Sequence, residues 1–367
     1  MSQRFTAAVS ALALVLLTAG CSHTADVEPQ AERRIPLKEL PAAARGAQHT
    51  DIVPAAQDNR QATAPTDAAP SSQHASSQQP ATQQPATQRP TTVKVAAVQC
   101  SSVLGAVEGN RRKLMDLVRE AAGEGAKIVV LPEAAITGYL SQDLATNWQR
   151  AGWPIEPVFQ GKDPLPFAEA VPGPSTQQFC QLAKELRIYV TIPFVERSDE
   201  KGRDESAGPP TRLFNTVCLA SPQGELVAHY RKLTPWPYPE KSWATPGDRG
   251  VQFYDSEYGR MGLAICFDVH TILEKYEPHK LWALLYPIAW VDENHPAEWF
   301  WHILPRRVAP FKHYLIGANW SVDEPQDWSG YGFSTIIGPQ GNVLASAKSL
   351  HGSEIVYATI KTAWAKD

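Results

Sequence analysis

Cysteine is scarce in this chain, with five in 367 residues, and no two of them form a CxxC pair. The His-Glu-x-x-His pattern is absent as well, so the sequence offers no recognisable metal-binding spacing. Ten histidines are scattered. Only His295 and His302, seven apart on an expected helix, suggest a shared face, and ordinary surface or core placement is the preferred reading over metal binding. Charge of one sign is also lacking: Lys plus Arg number 34 and Asp plus Glu 38, giving a net charge of -4. A pI near 6.2 leaves no electrostatic footprint for nucleic acid. The apolar stretch at residues 7–17 falls short of the roughly 20 residues a transmembrane helix needs.

What the N-terminus does hold is a targeting pattern. Arg4 supplies the positive start, residues 7–17 the apolar stretch, and Thr18-Ala19-Gly20-Cys21 a small-residue cleavage region. A Cys directly after Ala-Gly resembles a bacterial lipobox, with Leu17 one place earlier than usual. That resemblance implies a signal peptide at residues 1–20, lipid acylation of Cys21 and an extracytoplasmic protein anchored to a membrane rather than spanning it. Plain secretion with cleavage nearby is the alternative. Ser22 rather than Asp after the cysteine implies the outer membrane if the cell is Gram-negative.

Residues 21–92 shift to Ala, Gln, Pro, Thr and Ser, and Gln78-Gln79-Pro80-Ala81-Thr82 recurs at Gln83-Gln84-Pro85-Ala86-Thr87. Such a composition cannot bury enough apolar surface to offset its ordering entropy, so a disordered linker is expected. Within it, residues 35–40 read either as plain linker or as a short docking patch.

The globular part, residues 93–363, starts at an apolar strand, 93–98. Helical spacing of Leu114, Leu117, Val118 and Ala121 predicts a helix over 110–122, and Ser175 is the expected N-cap of a second one ending at Leu186. Further strands are expected at 127–131, 188–194, 213–219, 225–229, 261–266, 281–286, 314–319, 333–337, 342–347 and 355–360. Residues 295–313 read as a helix that Pro305 and Pro310 bend or break. Strands alternating with helices mean α/β. Of the cysteines after Cys21, Cys100 reads as a small buried hydrophobe, and Cys180 with Cys218 are the pair a disulfide would join if one forms.

Three polar residues stand at the ends of apolar strands: Glu133 after Leu131-Pro132, Lys232 after Tyr230-Arg231, and Cys266 after residues 262–265. Strand ends in α/β sheets are where a fixed backbone meets an open loop, so chemistry concentrates there. Taken singly, each has a plain reading: a surface carboxylate, a solvated lysine, a buried thiol. Together, a carboxylate, an ammonium and a thiol in this order resemble the nitrilase, or carbon–nitrogen hydrolase, superfamily over residues 93–361.

That resemblance implies a four-layer α-β-β-α sandwich and an amidase needing neither metal nor organic cofactor. Glu133 would be the general base, Lys232 the cation that stabilises the oxyanion, and Cys266 the nucleophile. Glu240, eight residues after Lys232, would position the lysine or the substrate, and Asp268 would orient the loop. The backbone N–H of Phe267 is a second oxyanion donor under the same reading. Cys266-Phe267-Asp268 departs from the Cys-Trp-Glu of true nitrilases toward the amidase side. Residues 286–290 resemble the biotinidase and pantetheinase branch, which would place Trp290 in an acyl pocket with Tyr139. Trp236 and Trp243 are either its rim or core aromatics. The expected partners are a small-molecule amide, a membrane through Cys21, and a second copy, since relatives commonly dimerise. A nitrilase, an acyltransferase using the same three residues, and a non-catalytic binding lipoprotein are the alternatives.

Overall fold

The computed structural model describes residues 89–139, 163–199, 211–236, 240, 243–289, 296–321 and 332–365. Cys21, the lipobox, residues 35–40, Trp290 and His295 lie outside the described residues.

Among the described residues, twelve strands form two six-stranded sheets. In the first, the order is β12 (Glu354–Lys361), β1 (Thr92–Gln99), β2 (Ile128–Val130), β3 (Tyr189–Ser198), β4 (Arg212–Ala220) and β5 (Leu226–Arg231). In the second it is β11 (Val343–Ser346), β10 (Thr335–Ile337), β9 (Tyr314–Ala318), β8 (Ala283–Pro287), β7 (Arg260–Leu263) and β6 (Gln252–Asp255). Read from β12 and from β6, both sheets run antiparallel, parallel, parallel, antiparallel, antiparallel. The two outer turns of direction after β3 bring β5 back parallel to it, so β2 and β5 end on the same side of their sheet.

The alternation of side chains along β1 sorts the layers. Val93, Val95 and Ala97 join the core between the sheets, with Ile128, Val130, Met261, Leu263 and Leu285. Ala96 and Val98 face the other way and pack under α1 (Val107–Gly123) and α2 (Pro174–Leu186) through Leu114, Val118, Phe179 and Leu182. The second sheet is covered by the helical segment of Trp299, Phe300, Leu304 and Val308. These layers are the α-β-β-α sandwich. Each fully buried aliphatic side chain stabilises it by about 1.5–3 kcal/mol.

Several boundaries moved for identifiable reasons. Pro174, lacking an N–H, fits the first turn, so α2 begins one residue before Ser175 and Gly173 takes the cap position. Ser175 instead donates from Oγ to Glu169, 2.8 Å away. β7 stops at Leu263 because the backbone at Cys266 turns to φ 41°. Strand β6 carries adjacent Phe253 and Tyr254 rather than a clean alternation, and the sequence pattern does not reveal it. The helix expected over 295–313 is broken, among its described residues, into an α turn, a π turn at Trp299–Ile303, a further α turn Leu304–Val308 and a 3-10 turn. Cys100 is fully buried, and burial pushes its thiol up to about 12. Cys180 and Cys218 are both free thiols. Among the described residues no helix is long and apolar enough to cross a membrane.

One buried ion cluster pins the end of β5. Arg231 donates to both oxygens of Glu196, which also accepts from Thr216 Oγ1 at 2.6 Å and meets His229 Nε2 at 2.7 Å. Burial pushes the Glu196 carboxyl up, but the hydrogen bonds from His229 and Arg231 outweigh it and hold it at about 2, against an ordinary 4.5. Stability from this group is therefore complete above the unfolded-state value and lost as pH falls through the folded one. At 1.36 kcal/mol per unit, about 3 kcal/mol is involved. Glu196→Gln should flatten the acid limb of the unfolding free energy between about pH 4.5 and 2, measured by urea denaturation at a series of pH values.

Candidate active site

The exits of β2, β5 and β7 converge. Beyond β2, Glu133 is fully buried, and the chain there is tied at both backbone groups. Its N–H donates to the Ile288 carbonyl at 3.3 Å, and its own carbonyl accepts from Trp320 Nε1 at 2.7 Å. One residue on from Ile288, the Ala289 backbone N–H favours the thiolate form of Cys266. The exit of β8 thus holds the carboxylate's backbone with one residue and acts on the thiol with the next.

Lys232 follows β5 and is buried to 1% exposure. Its N–H donates to the Asn215 carbonyl at 2.8 Å, and its carbonyl accepts from Gly247 N–H at 2.8 Å. A Cβ on Gly247 would stand 2.1 Å from the Arg231 carbonyl oxygen, so only glycine allows this approach. The lysine Nζ lies 2.7 Å from Glu133 Oε1 and 2.7 Å from Glu240 Oε2. Asn215 Nδ2 bridges the same two carboxylates, 2.7 Å from Glu133 Oε1 and in contact with Glu240 Oε1. Glu240 also accepts from the Trp236 backbone N–H, and from the Tyr139 hydroxyl. Two carboxylates, one ammonium and one amide form a closed unit.

Two oxygens are left out of it, the amide oxygen of Asn215 and one oxygen of Glu133. Glu133 Oε2 is buried and has no hydrogen-bond partner. Since both donors to Glu133 meet it at Oε1, any proton Glu133 carries must sit on Oε2.

The electrostatics follow from burial. Burial pushes Lys232 down, yet the charges of Glu133 and Glu240 outweigh it, and the ammonium is held well above its ordinary range. Burial raises Glu133, with Lys232 opposing and Glu240 reinforcing. Burial likewise raises the Cys266 thiol, Glu133 adds to the rise, and Lys232 and the Ala289 N–H only partly offset it. Two carboxylates already share the charge of Lys232. A base must remove the proton.

Cys266 opens a 3-10 turn, Cys266–His270. Its φ of 41° is strained for a residue with a Cβ. Tyr286 Oη donates to its carbonyl at 2.6 Å, helping to hold the turn.

The other expected residues surround this centre unequally. Tyr139 is buried against Ala134, Ala289 and Trp320, beside Glu240. Phe267 is half-buried and its ring lies 5.2 Å from that of His270. Trp236 is half-buried next to Glu240, whereas Trp243 packs with Val195 and Leu213 and is a core aromatic rather than a rim residue. Asn215, Trp320 and Tyr286 were not anticipated. Asn215 lies inside an apolar strand, Leu213-Phe214-Asn215-Thr216-Val217, and a buried amide interrupting such a run was the available signal. Among the described residues no group of three His, Cys, Asp or Glu side chains could hold a metal ion.

Lys232→Met would leave two buried carboxylates without a cation. It should abolish turnover and lower the unfolding free energy by about 3–5 kcal/mol. Adding Glu240→Gln should recover part of that stability and none of the activity, read by urea unfolding and amide turnover.

A family model described as carbon-nitrogen hydrolase matches residues 94–366. The omega-amidase NIT2 of Homo sapiens is 31% identical over 268 residues, covering 68% of this chain and 82% of that protein. That of Danio rerio is 28% identical over 274 residues, 70% of this chain and 84% of that protein. An amidase from Nesterenkonia sp. superposes with a TM-score of 0.56 at 18% identity, covering 75% of this chain and 92% of its own. Nit3 of Saccharomyces cerevisiae, a member of branch 10 of the nitrilase superfamily, gives 0.56 at 24% identity, with 74% and 90% covered. At those identities the superpositions speak for the fold, which is the α/β arrangement of two packed sheets.

Proposed function

The chain belongs to the carbon–nitrogen hydrolase family of the nitrilase superfamily and is an amidase, and from that premise we propose that it hydrolyses a linear, non-peptide amide through a Cys266 thioester. The observation that carries this reading is the free Oε2 of Glu133 in a buried centre that it shares with the Cys266 thiol and the Lys232 ammonium.

Glu133 Oε2 takes the thiol proton as Sγ bonds to the amide carbon, and the carbonyl π pair moves onto oxygen. Lys232 has three N–H bonds; two go to Glu133 and Glu240, and the third meets the oxyanion. The Phe267 N–H is the second donor. The oxyanion then collapses, the C–N bond breaks, and the amine leaves with the proton from Glu133. Water enters, gives its proton to Glu133 and bonds to the thioester carbon. The C–Sγ bond breaks, the acid departs, and Glu133 returns the proton to Cys266. Amide plus water become acid plus amine, with Glu133 restored. Lys232 and Asn215 keep Oε1 of Glu133 occupied, which reserves Oε2 for the reacting protons.

The branch and the acyl group belong to this proposal as well. Tyr139, Phe267 and Trp290 are its acyl-pocket residues, with Tyr139 supported by its place beside Glu240. Export and lipidation at Cys21 rest on the Thr18-Ala19-Gly20-Cys21 sequence, and a homodimer on the habit of relatives. Labelled palmitate incorporated by the full chain and lost in Cys21→Ala would support the anchor; equal labelling of both would refute it.

A panel of primary and secondary amides should give turnover with the wild type and none with Cys266→Ala or Glu133→Gln. Burial raises Glu133, and the base acts only when unprotonated, so kcat/KM should climb with pH through an apparent pKa above the ordinary 4.5. An acid limb at or below that value, or turnover by Cys266→Ala, would contradict the scheme.

A further inference from the structure

Asp268 is a fully buried carboxylate two residues after Cys266, and the reaction scheme does not use it. Its oxygens accept from three donors. Oδ2 takes Tyr230 Oη at 2.6 Å and the Ile265 N–H at 3.1 Å, and Oδ1 takes the Thr234 N–H at 3.0 Å. The donors come from two places. Ile265 immediately precedes Cys266, while Tyr230 and Thr234 stand two residues either side of Lys232. Tyr230 Oη in turn accepts from the Leu233 N–H at 3.2 Å.

We infer that Asp268 is a positioning residue: with Tyr230 it fastens the turn of the nucleophile to the segment that carries the lysine. The inference rests on reading Cys266 as the nucleophile and Lys232 as its cation. The two arrive from different sheets, Lys232 from β5 and Cys266 from β7, so neither sheet's own hydrogen-bond ladder fixes their separation. The Cys266 backbone sits at positive φ and needs surrounding contacts to stay there. Asp268 supplies one on the residue before it, and its own N–H closes the turn on the Ile265 carbonyl at 3.0 Å. A second base is the competing role for a carboxylate so placed. Both oxygens of Asp268 are taken by donors, whereas Glu133 keeps one free, which favours positioning.

The chemistry of the contact sets the test. An ionised carboxylate accepts all three bonds. An asparagine has one acceptor oxygen, and its Nδ2 must face either the Ile265 or the Thr234 N–H, so Asp268→Asn keeps the shape and breaks the fastening. Tyr230→Phe removes one bond and keeps the ring.

The full chain would be compared as wild type, Asp268→Asn, Tyr230→Phe and the double variant, with Cys266→Ala as background. Peptide mass mapping would give the rate of Cys266 alkylation by iodoacetamide, steady-state kinetics would give kcat and KM, and circular dichroism would check the fold. Asp268→Asn should lower kcat by about 10- to 100-fold with KM within about threefold, as expected when reacting groups are misplaced by a fraction of an ångström to an ångström. Alkylation of Cys266 should slow in parallel. Tyr230→Phe should slow it by a smaller factor, and the double variant should match Asp268→Asn, because the two residues act through one contact. Wild-type rates in both single variants, or additive effects in the double, would overturn the inference. Should Asp268→Asn not fold, Tyr230→Phe decides alone: slower alkylation supports the fastening and an unchanged rate refutes it. The alkylation rates need no substrate. A wild type inert toward every amide would therefore count against the amidase chemistry proposed for Cys266, while the alkylation rates would still decide whether Asp268 positions it.

Discussion

Everything at this site depends on one buried ammonium. Lys232 is sealed from water with Glu133 and Glu240, each 2.7 Å from its nitrogen. A buried charge without a partner would cost several kcal/mol, and so would either carboxylate. The three groups can be buried only together, and Asn215 supplies the remaining donors that make the arrangement hold. This coupling explains why the site draws on β2, β4, β5 and the loop after β5 at once. It also explains the chemistry: with Oε1 of Glu133 committed to the ion cluster, Oε2 is the only oxygen of that carboxylate left to handle a proton.

The sheets make this coupling geometrically available. Glu133 and Lys232 leave one sheet on the same side, because β5 runs parallel to β2 after two antiparallel turns. Cys266 leaves the other sheet, and residues 288 and 289 act on both, one through the Glu133 N–H and the next by favouring the Cys266 thiolate. The two sheets share one order of strand directions, yet the residues at equivalent exits differ. Cys100 follows β1 as Cys266 follows β7, but Cys100 is a buried thiol raised by its apolar surroundings, whereas Cys266 shares its burial with Glu133. Equivalent backbone does not make equivalent chemistry.

Much of this was legible in the sequence, and the part that was not has a common cause. Strand ends followed by Glu133, Lys232 and Cys266 could be read because each polar residue terminates a local apolar run. The α/β class followed from alternating periodicities, and the sandwich from the family resemblance. Asn215, Trp320 and Tyr286 were not legible, because their roles come from partners far along the chain: Asn215 lies 82 residues from Glu133, and Trp320 lies 187 from it. The same applies to Asp268, whose local motif suggested loop orientation but not the link to Tyr230. Edge strand β6 was hidden because half-buried edges lose the clean alternation on which strand recognition rests.

The central claim is that Cys266 carries the acyl group between two proton transfers at Glu133. Rapid acid quench of wild-type enzyme with a turned-over amide, followed by intact mass spectrometry, tests it most directly. The account predicts an adduct equal to the substrate's acyl group, located on the Cys266 peptide, released by hydroxylamine and absent from Cys266→Ala. Turnover with no adduct under quench conditions that trap a control thioester, or an adduct on another residue, would contradict it.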